Sequence, residues 1–403
     1  MGNKLLRIIL LLCLLGCELS VENANLDFVI LTWKPGQDAS SSISINFRVP
    51  HFSKKTHIIY GTRPTDENIE GIKNIKKAIT KEFRGLTDNY ISYIELDNLL
   101  PNTIYYFRLA DDQGHFTKEM KFKTLTRDNS DLSFVFGGDM GSSDKTIKMM
   151  AQAASYSPDF AVVGGDIAYG NGQYSNWEKW QKWLKGWQEN MVSQNGYMIP
   201  VVAVVGNHET NKWPGPSVFR APFFHYVFDY DGQTYSHMKM GKSLNLILLD
   251  TGHLNLYSGK QLKWLEKKLI ELEQEKLKIA VYHIPLYPSH RSFKLRQAKL
   301  GRQKWEPLFN KYGVKFGIEN HDHTFKRSKK IWNGKLAKNE YEWTMYLGDG
   351  AWGKGGRAVG PRWYLEKYSS DAHFWLAKVS SNQIRFQAIN DKNEYLDDFT
   401  EAF

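Results

Sequence analysis

From about Asp27 to Thr126 apolar and polar residues alternate in short runs, such as Ser42-Ile-Ser-Ile-Asn-Phe-Arg48, His57-Ile-Ile-Tyr60 and Thr103-Ile-Tyr-Tyr-Phe-Arg108, separated by turn residues. A period of two predicts strands with one buried face, and many short strands in succession predict an antiparallel β-sandwich. Beyond Ser130 the pattern changes. Near-continuous apolar runs cover Leu132 to Phe136, Phe160 to Val163, Ile199 to Val205, Leu244 to Leu249, Ile279 to Tyr282 and Val314 to Ile318. Such runs mark strands covered on both faces. Between them lie helical stretches, among them Gln261 to Ile270, with apolar residues at 262, 265 and 269. The pattern therefore predicts a sandwich over 27–126, a polar linker from Thr126 to Asp131, and an α/β layered domain over 131–400. Tryptophans at 177, 180, 183 and 187 follow helical spacing and are expected to pack in the core.

The start of the chain has its own pattern: basic Lys4 and Arg7, an apolar run from Leu5 to Leu15 broken by Arg7, then Gly16-Cys17. This predicts an export signal within residues 1–20, too short to span a bilayer, which takes about 20 apolar residues. Leu14-Leu15-Gly16-Cys17 is similar to a bacterial lipobox, with cleavage before a lipidated Cys17; plain secretion with cleavage nearby is the alternative. The expected location is periplasmic, cell-surface or secreted. Both cysteines, Cys13 and Cys17, lie in this segment, so the exported chain has no cysteine for a disulfide or a metal site. Without Lys4 and Arg7, 51 of the 53 basic residues face 43 acidic ones, a formal +8 that attracts anions generally. No basic run interleaved with aromatics points to nucleic acid as a dedicated partner. Hydrophobic residues at 42% and aromatics at 14% exclude a disordered chain.

Five short motifs follow candidate strands in order: Gly138-Asp-Met-Gly141, Gly165-Asp-Ile-Ala-Tyr169, Gly206-Asn-His-Glu209, Val281-Tyr-His283 and Asn320-His-Asp-His323. They offer oxygen and nitrogen donors suited to two transition metals about 3.5–4 Å apart. A carboxylate can bridge such a pair, and the adjacent glycines let the backbone turn sharply and approach closely. In α/β folds ligands collect at the carboxyl ends of strands, where these clusters fall.

The five motifs resemble those of the calcineurin-like metallophosphoesterases, and Tyr169 resembles the purple acid phosphatases in particular. Leu99-Leu-Pro-Asn-Thr-Ile-Tyr-Tyr-Phe-Arg108 with Phe122-Lys-Thr124 is similar to the fibronectin-type-III-like domain that precedes many of their catalytic domains. The similarity extends to Gly259–Glu266, Tyr346–Gly350 and a closing segment around His373. It implies that Asp139, Asp166, Tyr169 and His323 hold a ferric ion. Asp166, Asn207, His283 and His321 would hold a divalent one (zinc, manganese or iron), with Asp166 as the bridge and no further cofactor. It further implies hydrolysis of small phosphate monoesters by in-line attack of hydroxide at phosphorus, and a purple colour from phenolate-to-iron charge transfer. His208 resembles the family's catalytic histidine beside the metals, and His290 is a second candidate for that duty, a surface loop being its other reading. Arg291 reads as a phosphate contact or, more simply, a solvated arginine. One departure stands out: Asn320 occupies a position where the family has glycine. Two other functions use the same residues: a metallophosphodiesterase or nucleotide hydrolase, and a cell-surface binding protein on a catalytically dead scaffold. Oligomeric state is not legible.

Overall fold

A computed structural model describes residues 24–64, 74–127 and 132–403. The expected export segment, with Cys17, lies outside these residues, as do 128–131 of the expected linker. No described helix is long and apolar enough to cross a membrane.

The N-terminal unit is a pair of four-stranded antiparallel sheets. One runs Asp27–Thr32, Ile43–Val49, Tyr90–Leu96, Ile79–Glu82; the other runs Asn74–Lys77, His57–Gly61, Ile104–Ala110, Met120–Lys123. In Ile104–Ala110 the alternation is clear, with Tyr105, Phe107 and Leu109 buried. Ile43–Val49 breaks the rule and is buried at six of its seven positions. The reason is non-local: its second face meets the following domain, where Asn46 donates to the Val227 carbonyl at 2.8 Å. Thr32 Oγ1 donates to the Val201 carbonyl at 2.7 Å and Tyr93 Oη to that of Tyr226 at 2.8 Å across the same interface. Phe83, from the sandwich, lies among Trp177, Phe223 and Tyr226 with ring centroids 4.3–5.5 Å away. The two units thus share one continuous hydrophobic core.

The second unit holds two facing mixed sheets. The first joins three parallel strands, Val201–Ala203, Phe160–Val163 and Leu132–Gly137, to an antiparallel set of His373–Val379, Gln383–Asn390 and Tyr395–Ala402. In the second, Leu244–Leu248, Leu277–Val281, Phe316–Ile318 and Met345–Gly348 are parallel, and Ser236–Met240, Phe325–Ser328 and Leu365–Ser369 complete it. Rings interleave between them: Phe316 meets Phe386 at 4.8 Å and Phe325 meets Trp375 at 5.5 Å. Helices flank the sheets. Trp177–Asn190 buries its four tryptophans as expected, and lies so close to Asp144–Ala154 that a Cβ on Gly186 would come within 2.1 Å of Ile147 Cδ1.

Two core histidines give the fold a pH dependence. His225 in helix Pro222–Phe228 has neither ring nitrogen bonded, and burial, against the opposing pull of Asp229, pushes it down to about 4. Burial does the same to His373, also to about 4, despite nearby backbone carbonyls. Both values fall below the unfolded value of about 6.5, so the folded state refuses protons that the unfolded chain accepts. Their stability contribution is full above about pH 6.5 and is lost as pH falls toward 4, by roughly 1.4 kcal/mol per pH unit for each. Urea midpoints at pH 7 and 5 should show this loss, and His225→Leu should reduce its slope; an unchanged slope would contradict the assignment.

Candidate metal centre

The parallel strands deliver the expected residues to one place. Asp139, Asp166 and Asn207 each follow one of three neighbouring parallel strands of the first sheet, and His283 and the 321–323 turn follow neighbours in the second. Parallel strands present all these loops at their carboxyl ends. The local backbone is unusual there: Asp139, Asp166, Tyr169, His321 and His323 all have positive φ, between 52° and 79°. Non-glycine residues enter that region at a cost of roughly 1–2 kcal/mol each, and do so only when their surroundings fix them. Here a backbone ladder does so. Asp139, Met140 and Gly141 N–H groups donate to the carbonyls of Gly165, Asp166 and Ile167 at 2.8–3.0 Å. Glycine is required where these turns touch, since a Cβ on Gly350 would lie 1.9 Å from Asp139 Oδ2.

The side chains form two adjoining groups. In one, Tyr169 Oη lies 3.2 Å from Asp139 Oδ1 and 3.1 Å from His323 Nε2, which is itself 2.9 Å from Asp139 Oδ1. In the other, His283 Nε2 lies 3.2 Å from Asn207 Oδ1, 3.1 Å from His321 Nδ1 and 3.3 Å from Asp166 Oδ2. Donor atoms of Asp139, Asp166, His283 and His321 all fall within 4.8 Å of one another, which joins the groups.

The chemistry of this set fits cations. Burial alone would lower the His283 imidazole, yet the carboxylates of Asp166 and Asp139 raise it to about 10. A single Nε2 proton then faces Asn207 Oδ1, His321 Nδ1 and Asp166 Oδ2 together, too little positive charge for that many acceptors. His283 Nδ1 meanwhile donates to the Gly164 carbonyl at 2.9 Å, which fixes the ring and leaves Nε2 free to act as a ligand. Burial, then His283 and Arg291, hold His321 far below its ordinary value, so its Nδ1 lone pair is available. Burial, then Asp139 and Asp166, push the Tyr169 phenol far up. Only a strongly charged cation would displace its proton.

His208 sits over this centre. Its ring stacks on Tyr169 with centroids 4.1 Å apart, Nδ1 meets Asn171 Oδ1 at 2.5 Å, and Nε2 is 3.9 Å from Asp166 Oδ2. The amide oxygen accepts from Nδ1–H, so Nε2 is the free atom. His290 adjoins the 321–323 turn, its N–H donating to Asp322 Oδ2 at 2.7 Å. It is exposed, its Nδ1 bonds the Ala358 carbonyl at 2.7 Å, and none of its hydrogen bonds reaches the ligand set. Arg291 is neither a solvated arginine nor a group held out for an anion: it binds the His321 carbonyl and Asp322 Oδ1, and Arg357 reaches the same carbonyl at 3.1 Å. The pair brace the His321 turn from behind. Asn320 does not distort that turn. Its φ is not positive; its buried side chain fills the space above Gly138 and Gly164 and donates to the Tyr282 carbonyl at 3.0 Å.

Two supporting elements were not anticipated. Glu209, fully buried, accepts the backbone N–H groups of Asp166, Ile167 and Gly206 at 2.7–2.8 Å and so shapes the Asp166 turn. Behind the 321–323 turn, Lys326 pairs with Glu319 Oε2 at 2.5 Å and Asp349 Oδ2 at 3.1 Å, all three fully buried.

Comparison with known proteins agrees with this geometry. The calcineurin-like phosphoesterase family matches residues 130–347 and the purple acid phosphatase N-terminal domain matches residues 27–124. Purple acid phosphatase 15 of Arabidopsis thaliana is 22% identical over 62% of this chain and 52% of its own length. For Fe(3+)-Zn(2+) purple acid phosphatase 12 of the same plant the identity is 24%, over 66% and 58%. The chain thus spans little more than half the length of these relatives. The structure of purple acid phosphatase PPD1 from yellow lupin (Lupinus luteus) seeds shares the fold, with TM-score 0.75 over 94% of this chain and 74% of that one at 17% identity.

Proposed function

Because the chain belongs to the calcineurin-like phosphoesterase family, with a purple acid phosphatase N-terminal domain in front, we propose that it hydrolyses small phosphate monoesters at a dinuclear metal centre. The observation that carries this reading is the pair of adjoining donor groups, one containing a phenol. Asp139, Asp166, Tyr169 and His323 would hold a ferric ion, and Asp166, Asn207, His283 and His321 a divalent zinc, manganese or iron. Bound there, two such ions supply Lewis-acid charge for the phosphate oxygens and a source of nucleophilic water. The protein's own residues do the rest. Asp166 sets the spacing of the two groups, Gly164 and Asn171 fix the His283 and His208 rings, and His208 Nε2 can pass a proton to the departing alkoxide. His290, beside the 321–323 turn, is the second candidate for that proton transfer. The sequence from Lys4 to Cys17 supports an exported enzyme, with Cys17 lipidated or removed with the signal.

The test is turnover of paired monoester and diester chromogenic substrates across pH by protein spanning Val21 to Phe403, purified with iron and zinc or manganese. Monoester preference at acidic pH supports the proposal. Diester preference moves the substrate class, and no turnover with both metals bound favours a binding protein. Colour gives an independent check: Tyr169→Phe should abolish visible absorption of the iron-loaded protein, and a retained band would remove Tyr169 from the ferric site.

A further inference from the structure

Along the segments that follow Asn171 and His208 lies a cavity of about 510 Å³, within the size range of small-molecule sites. Its walls continue two of the loops that shape the centre. Its lining begins at Gly172, one residue after the Asn171 that orients His208, and resumes at Asn211, three residues after His208 itself. The cavity is built rather than incidental. Asn211 Nδ2 donates to the carbonyls of both Gly172 and Phe219 at 2.9 Å, tying the two walls together, and its Oδ1 accepts the Trp213 N–H at 3.0 Å. Gly172 has φ +60°, and a Cβ there would strike Asn211 N at 2.5 Å, so the floor has no room for a side chain. The adjoining Arg220 accepts the Asn211 N–H on its carbonyl and donates to the His253 carbonyl at 2.7 Å; the His253 ring lies 5.7 Å from that of His283. The pocket wall and the metal side are therefore mechanically joined.

Its chemistry is aromatic and uncharged. Trp213 is 74% and Phe219 42% exposed, both large apolar surfaces left open to solvent. Tyr174 forms a third ring, held from behind by the sandwich domain, where Gly85 lies so close that a Cβ would come within 2.4 Å of the Tyr174 ring. No residue lining the cavity carries a formal charge. Polyanionic or cationic groups would find no partner there, whereas a planar neutral ring can stack.

We propose that this cavity binds the organic part of the ester and selects aryl phosphate monoesters. This rests on the phosphomonoesterase reading above. Water adds to phosphorus, the P–O bond to the aryl oxygen breaks, and the neutral aryl alcohol, carrying a proton, leaves beside Trp213. Stacking on an exposed aromatic side chain changes affinity by roughly tenfold.

Kinetics on 1-naphthyl phosphate and glycerol phosphate, for the parent protein and Trp213→Ala, test the assignment, together with binding of 1-naphthol to metal-free protein followed by the ligand's fluorescence. The expected result is a KM for 1-naphthyl phosphate raised about tenfold in the variant, an unchanged KM for glycerol phosphate, and naphthol affinity lowered by a similar factor. Equal changes on both substrates, or naphthol binding indifferent to Trp213, would overturn the subsite. Trp213-dependent naphthol binding without turnover of either ester would instead overturn the hydrolytic reading, and with it the leaving-group role. Because Trp213 is mostly exposed, its loss should leave folding intact, which circular dichroism checks.

Discussion

Asp166→Asn is expected to lower kcat/KM for phosphate monoesters by about a thousandfold or more, equivalent to roughly 4 kcal/mol of transition-state stabilisation. The side chain is buried between the two donor groups; Oδ1 accepts the His208 N–H at 2.7 Å and Oδ2 faces His283 Nε2 at 3.3 Å. Burial would raise its pKa, but His283 and then His208 hold it below the usual carboxylate range, so the native residue is an anion. Asparagine retains an oxygen for the His208 N–H and the volume of the side chain. It loses the charge and the second oxygen that a pair of cations would share. Melting temperature should move by only a few degrees, while metal content after dialysis falls. More than a tenth of the parent activity in the variant would remove Asp166 from the bridging position.

The largest effect on stability is expected at Lys326. Lys326→Met should destabilise the fold by about 3–5 kcal/mol, the usual cost of leaving a buried charge without its partner. The ammonium reaches Glu319, Asp349 and the Tyr287 carbonyl with no access to water. Coulombic attraction from these carboxylates overcomes burial and holds the lysine above its ordinary value. Without it, Glu319 keeps the Tyr282 hydroxyl and the Leu286 N–H but loses its buried cation, beside an Asp349 carboxyl that burial already holds well above its ordinary value. Asp349 also supplies, through its carbonyl, the partner of the His323 N–H at 2.9 Å, so losing the lysine that holds Asp349 should loosen the turn that carries two candidate ligands. Chemical denaturation gives the number directly, and Glu319→Gln in the same background should recover part of the loss. A change below 1 kcal/mol would show that the cluster carries little of the stability.

The candidate ligands were legible in the sequence because each follows an apolar strand directly, with glycines marking the turns of Asp139, Asp166 and Asn207, a purely local signal. What surrounds them was less so. Glu209 ends one of the five motifs, and its spacing of three from Gly206 is that of a residue reaching back to the start of a helical turn. Nothing local says that Asp166 and Ile167 would also fall to it. Lys326 reads as a solvated residue in a polar strand, since lysine is almost never fully buried. Its burial depends on two acidic residues, Glu319 and Asp349, that only the assembled sheet brings together. The burial of Ile43–Val49 on both faces has the same origin, a partner more than a hundred residues away. His290 and Arg291 show the limit at its sharpest: adjacent in sequence, one is exposed with its ring on the Ala358 carbonyl and the other reaches into the back of the His321 turn.

Asn320, wedged over Gly138 and Gly164, also constrains the order in which this chain could have changed. A Cβ at Gly164 would meet the Asn320 amide at 1.9 Å and one at Gly138 would meet it at 2.5 Å. Alanine at either position is blocked while Asn320 stays; a small residue at 320 removes that clash, though a Cβ at Gly138 would still press on the Gly164 backbone at 3.1 Å. A lineage that keeps glycine at 320 does not meet this clash at its two neighbours. One that has acquired asparagine has closed those routes and can reopen them only by first stepping back, so history at a single turn dictates which substitutions remain available at two others.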